Sequence, residues 1–333
     1  MDAAQSLSER TNTPGKAVNR RKTPTTRRAL LTSLIVDIWD VTLHGTVAII
    51  TGSVVLLARV LQGLADITVD TLLLVGLKRS KKTATRIHPF GFGKEAYFWT
   101  LLAGIVMLLF TATMSFYFGL QEFLRPENGI QHIWLAYVIL SIGIVTNSYS
   151  VSVSARKLLE GRRWRSLPRT LLHTLHVAPR TTFALDFTGL LAAISGLTSL
   201  IIYGVTGDAR FDGVGAMAIG AMLAVGSLFL LTSARTFIVG RRASPDVEHT
   251  IKQAALEIKG VNTILDLRTM VLGHRGLLVN LEIHFQDGMV TDDIEQAVDD
   301  IKDNIKHAVR GRIYIQVEPE TPQSGQTSTS QHR

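Results

Sequence analysis

Gly52-Ser53-Val54-Val55-Leu56-Leu57-Ala58-Arg59-Val60-Leu61-Gln62-Gly63-Leu64-Ala65-Asp66-Ile67-Thr68-Val69-Asp70 sets a cation, an amide and two carboxylates into an otherwise apolar run. The run continues to about Leu77, beyond the roughly 18 residues needed to cross a bilayer. Gln62, Asp66 and Asp70 recur every fourth position, and Arg59 stands three before Gln62. All four therefore lie on one helix face. Ionisable groups are expensive inside a span, so they mark either a functional site or internal pairing.

Working outward, five further apolar runs accompany this one. The expected spans are 29–51, 53–77, 97–121, 132–155, 181–205 and 211–235. A tight Thr51-Gly52-Ser53 turn joins the first two, which makes them antiparallel. The expected organisation is a basic disordered tail (1–28), a six-helix transmembrane domain (29–239), a small α+β domain (240–320) and a disordered end (321–333). A soluble enzyme, a secreted disulfide scaffold and a disordered chain are excluded. The absence of cysteine removes disulfides, thiolate metal sites and thiol nucleophiles. No nucleotide-binding glycine loop or hydrolase elbow is present, so no enzymatic activity and no cofactor are expected.

The net charge of +8 is distributed by topology. Residues 1–28 carry seven Lys/Arg, 78–96 carry six and 156–180 carry seven; the other three loops share only Arg125 and Arg210. Twenty against two places both termini in the cytoplasm. The same charges attract anionic lipid. Nucleic acid is not an expected partner, because no aromatic-basic platform or helix-turn-helix pattern accompanies them. The first span lacks a small-residue cleavage site, which argues against a cleaved signal peptide. A prokaryotic cell membrane is the expected location.

After Gly240 the periodicity changes. Residues 245–258 read as a helix, and 262–272 and 277–286 as a hairpin around Gly273-His274-Arg275-Gly276. Thr291 opens a helix to Ala308 with Asp292, Asp293 and Glu295 in its first turns, as the helix dipole favours. Residues 312–318 alternate as a last strand. The result is an αββαβ, ferredoxin-like or metallochaperone-like unit with ten Lys/Arg and fourteen Asp/Glu over 241–320. Its three-stranded sheet keeps an edge or face open, which favours a homodimer.

The other intramembrane polar groups are Asp37, Asp40 and His44 in the first span, and Asp186 with Thr182 in the fifth. Asp40 and His44 are again four apart. With inner ends at 29 and 77, Asp40 and Asp66 both lie roughly 16 Å deep, and His44 and Gln62 about 22 Å. One reading is internal ion pairing, with Arg59 held by a carboxylate. The other is a hard-cation site, with carboxylate and amide oxygens accepting manganese, iron(II), zinc or cobalt and His44 adding an imidazole. If the fifth helix starts near Thr181, Asp186 is only about 8 Å deep, and its level relative to Asp66 stays open. Ala216, Gly220 and Ala224 form a small-residue packing face. Tyr97, Trp99, Trp134 and Tyr203 fit an interfacial aromatic belt.

The run 52–66, followed by His88-Pro89-Phe90-Gly91-Phe92-Gly93-Lys94-Glu95-Ala96-Tyr97-Phe98-Trp99, resembles the second span and following loop of the cation diffusion facilitator family of divalent-metal/proton antiporters. The resemblance covers about 29–320. It implies a homodimer that exports zinc, iron, manganese or a similar cation as cargo. It also implies a site that pairs a His/Asp-x-x-x-Asp motif on the second span with another on the fifth. Asp66 and Asp186 match the two aspartates. Gln62 and Thr182 stand where most or many members carry His or Asp, and Arg59 where relatives often carry an acid. Asp70, Asp40 and His44 are candidate helpers or proton carriers. His88 is retained in the loop, but Thr85 and Phe92 replace further ligands there. In the tail domain the resemblance implies regulatory metal, with His284 and Glu282, which share a strand face, as the best-placed pair beside His249, His274 and Asp287. The alternative is a non-transporting relative, acting as a dimeric partner or metal sensor, in which Arg59 fills the cavity.

Overall fold

The computed structural model describes residues 26–126, 129–159, 164–167, 177–273, 276–309 and 311–322. Six helices among these are long and apolar enough to cross a membrane. They are α1 (Thr26–Thr51), α2 (Val54–Arg79), α3 (Glu95–Leu124), α4 (Ile133–Leu159), α5 (Val177–Thr206) and α6 (Arg210–Val239). Within α3, Met107–Ala112 form a π-helical segment. The expected disordered tails lie almost wholly outside the described residues. Where they overlap, the first three residues of α1, 26–28, fall within the expected first tail.

Local chemistry sets the ends. Gly52 turns the chain at φ +70°, a conformation that suits glycine, and the Ser53 side chain caps α2 by accepting from the Leu56 amide. The apolar span of α5, Thr182–Thr206, agrees with the expected 181–205, and the helix itself begins four residues earlier than 181, at Val177. Its third residue is Pro179, which the first turn tolerates because its amide would have no intrahelical partner there.

The helices pair as α1 with α2, α3 with α6, and α4 with α5, while α2 and α5 both reach α6. At the α3–α6 seam backbone packs directly on backbone. A Cβ on Gly220 would lie 2.7 Å from the Phe116 amide nitrogen, and one on Gly119 2.6 Å from that of Met217. Ser115 bonds the Ala216 carbonyl across the same seam. The small-residue face expected along α6 is therefore a packing surface. Tyr203 departs from the expected belt: it is buried, and its hydroxyl accepts from the Ile130 amide at 2.7 Å.

The remaining domain comprises α7 (Pro245–Leu256), β1 (Val261–Val271), β2 (Gly276–Phe285), α8 (Thr291–Ala308) and β3 (Arg312–Pro319). The order is αββαβ. Strands run β1-β2-β3, antiparallel then parallel. Val279, Leu281, Ile283 and Phe285 alternate into a core with Ile251, Ala255, Ile301 and Ile305 of the two helices. His274 and Arg275 of the hairpin turn lie outside the described residues. The domain meets the α2–α3 loop closely: Gly93 abuts Leu272 and Gly273 with no room for a Cβ, and Phe90 stands edge-on to Tyr314 at 5.1 Å.

Candidate metal site

The face of α2 predicted from spacing faces α1, α4 and α5. Arg59 is 4% exposed and Gln62 7%. Arg59 Nη1 donates to Gln62 Oε1 at 2.6 Å. Arginine offers only donors, so the amide oxygen must be the atom engaged. One of the two lone pairs of that oxygen is therefore engaged by Arg59 in this arrangement. Its Nε2 points toward α5, 3.3 Å from where a Gly189 Cβ would stand.

On α1, His44 is 1% exposed. Its Nδ1 lies 3.0 Å from the Asp40 carbonyl oxygen and 3.3 Å from Asp40 Oδ2. Both neighbours are acceptors, so Nδ1 carries a proton toward them. Among the described residues, Nε2 is buried without a hydrogen-bond partner, as is Arg59 Nε. Both groups converge on Gly143 of α4, whose missing Cβ would lie 3.5 Å from Arg59 Nη2 and 4.0 Å from His44 Nε2. The charges acting on Asp66 come from Asp37 and Asp40 of α1 and from Arg59 and Asp70 of its own helix. Those acting on Arg59 come from Asp40 and Asp66.

The level of Asp186 follows from the contact between Gln62 and Gly189. Moving toward the α+β domain, Asp66 is four residues from Gln62, about 6 Å along α2. Asp186 is three residues from Gly189, about 4.5 Å along α5. Counted along their helices, both residues thus stand about one turn from that contact, on the side of the α+β domain. They stand on separate walls, however. Asp186 lies beside Ser154 and Lys157 of α4. With Thr182, Tyr149 and Ser150 these line a groove of about 250 Å³. Among the described residues, no three His, Asp or Glu side chains converge as a ready metal cage.

The family model for the cation efflux transmembrane domain matches residues 30–238, and that for the cation efflux protein cytoplasmic domain matches 243–320. The chain belongs to the cation diffusion facilitator family. Its members are transporters, not enzymes, and this one is an integral membrane protein. The human mitochondrial protein named "Proton-coupled zinc antiporter SLC30A9" is 24% identical over 245 residues, 73% of this chain and 43% of the relative. "Metal tolerance protein C4" of Arabidopsis thaliana is 24% identical over 278 residues, covering 79% and 58%. "Probable cation efflux system protein Rv2025c" of Mycobacterium tuberculosis is 26% identical over 245 residues, covering 69% and 64%. The chain thus spans less than half of the human relative's length.

Elsewhere in the chain the candidate positions disperse. In the α2–α3 loop, His88 packs its ring on Phe92 at 4.5 Å, and its amide donates to Thr85 Oγ1. In the α+β domain, Glu282 lies opposite Asp266 and Glu318 on the sheet face away from the helices, and His284 opposite Thr263. Desolvation, then the charges of Asp266 and Glu320, push the Glu282 carboxyl above its ordinary range, against Arg268.

Sequence reasoning missed Asp212. It is 2% exposed at the start of α6. Its carboxylate accepts from Ser53 Oγ at 2.7 Å and from the amides of Val54 at 2.6 Å and Val55 at 3.1 Å. It therefore supplies, from 158 residues away, a cap for the N-terminus of α2. The available signal was an acid two residues inside an apolar span. Gly143 and Gly189 were missed for another reason: their value is the side chain they lack.

Proposed function

We propose that this protein exports a divalent metal cation from the cytoplasm in exchange for protons. The observation that supports the reading is the approach of Gln62 to Gly189, which puts Asp66 and Asp186 each about one turn from the same contact between α2 and α5. A cation entering between the walls would meet a carboxylate from each. Proton exchange follows from chemistry: carboxylates must lose protons to bind a metal and regain them to release it. The name of the human relative, a proton-coupled zinc antiporter, supports the same assignment. The missing imidazoles on α2 and α5 favour an oxygen-rich site, so the cargo extends from zinc to manganese and iron(II).

The working unit is a homodimer in a prokaryotic cell membrane, with both termini cytoplasmic. The matched cytoplasmic domain supports dimerisation, and the basic loops support the orientation. Asp70, Asp40 and His44 act as helpers or proton carriers, Thr182 lies beside Asp186, and Glu282 with His284 forms a regulatory metal position.

The test is metal flux into proteoliposomes under an imposed proton gradient, across manganese, iron(II), zinc, cobalt and cadmium. Gradient-driven uptake of at least one ion is expected. A second reading, the non-transporting partner or sensor, is favoured by one observation, the engagement of Gln62 by Arg59. Folded, dimeric protein that moves none of the five ions would select it.

A further inference from the structure

We propose that Arg59 is a tethered counter-cation that competes with the transported metal for the carboxylates of the α1/α2 wall and so keeps metal binding weak enough for release. The proposal rests on the antiport reading above.

Arg59 is a permanent cation at nearly all accessible pH, placed where hydrocarbon and protein surround it. A guanidinium locked in a structural role is held by a bidentate carboxylate and by satisfied donors. Arg59 is held differently. Its hydrogen bond goes to a neutral amide oxygen, and its buried Nε has no hydrogen-bond partner among the described residues. The charges balancing it, Asp40 and Asp66, act from a distance. Asp66 is one helical turn beyond Gln62 on the same face. The guanidinium is thus parked on Gln62, next to the carboxylate that the antiport reading gives to the metal.

Two consequences follow. With no metal bound, the guanidinium partly neutralises the α1/α2 carboxylates. When a divalent cation arrives, the like charge opposes it at short range in a low-dielectric site. Removing the charge should therefore tighten metal binding and slow release, which lowers KM and kcat together. A residue that merely packed the helices would loosen binding or unfold the protein, and would not tighten it.

The experiment is equilibrium binding of zinc and manganese to the purified full chain, with flux measured alongside. Arg59→Met and Arg59→Gln remove the charge; Arg59→Lys keeps it. Asp66→Asn tests the site itself. Tightening by about tenfold or more in both neutral variants, near-unchanged affinity in Arg59→Lys, and a joint fall of KM and kcat would support the proposal. Binding by the neutral variants where the wild type binds no metal would also support it. Affinity in the neutral variants equal to or weaker than wild type, in protein that still loses binding with Asp66→Asn, would overturn the proposal and leave the antiport reading intact. Binding indifferent to Asp66→Asn would overturn both. If Arg59→Met fails to assemble, Arg59→Gln, which retains a polar partner for Gln62, carries the same outcomes.

Discussion

The two ends of the membrane bundle treat the acids on their inner helix faces in opposite ways. Away from the α+β domain, Asp212 has three donors within 3.1 Å and closes α2 against α6. Nearby, the Thr51 carbonyl accepts from Gln131, Tyr203 from Ile130, and the Phe211 carbonyl from Ser199. Nearer the domain, Asp66 has no hydrogen-bond partner among the described residues, and its neighbours are mostly other carboxylates. A buried carboxylate with its acceptors filled behaves as a structural clamp. One left among like charges is stable only with a cation or a proton. Asp212 is buried and Asp66 half-buried, but the local hydrogen-bond account separates them more sharply.

The largest effect that would break this comparison is at Asp186. Asp186→Asn should reduce proton-driven metal flux by about 100-fold or more, comparable to losing one charge-stabilising group in a desolvated site, while the melting temperature in detergent barely moves. A large drop in stability instead would place Asp186 with the clamps.

Asp212→Ala should show the reverse pattern. Leaving the Val54 and Val55 amides buried and unpaired costs roughly 2–4 kcal/mol, visible as a lower melting temperature and lower yield of dimer. Metal affinity of the folded fraction should stay near wild type. Gly220→Val probes the α3–α6 seam that both ends share. Its side chain would strike the Phe116 and Ala112 backbones, and overpacking of this kind costs about 1–3 kcal/mol, read from the same melting curve.

The smallest effect lies at Glu282. Its carboxyl holds its proton more readily in the folded protein than in the unfolded chain. Stability therefore falls as pH rises from the ordinary glutamate value through the raised one, and the deficit persists at neutral pH. Glu282→Gln should melt about 1 °C higher than wild type at pH 7, with the difference vanishing below about pH 4. A variant that melts lower at pH 7 would mean that Arg268, not the acidic neighbours, dominates there.

Helix count, strand alternation and the shared face of Arg59, Gln62, Asp66 and Asp70 were legible because each rests on periodicity within one element. The αββαβ order was legible for the same reason, since Val279, Leu281, Ile283 and Phe285 alternate into one core. The level of Asp186 was not. It depends on whether α5 admits Pro179 into its first turn, and on which residue of α5 meets Gln62. Both are facts of helix starts and helix-to-helix register that a single run of residues does not encode. The Gln62–Arg59 bond was hidden for a related reason: spacing put the two within reach without saying which atom of the amide would turn inward. Asp212 was invisible because its partners, Ser53, Val54 and Val55, lie in another helix.

One measurement sets the two acids side by side: proton-driven metal flux and thermal stability for Asp66→Asn and Asp212→Asn, purified and reconstituted together with the wild type. The account predicts that Asp66→Asn keeps its stability and loses flux, whereas Asp212→Asn loses stability and keeps flux per folded dimer. Undiminished flux in folded Asp66→Asn would contradict the assignment of the transport site.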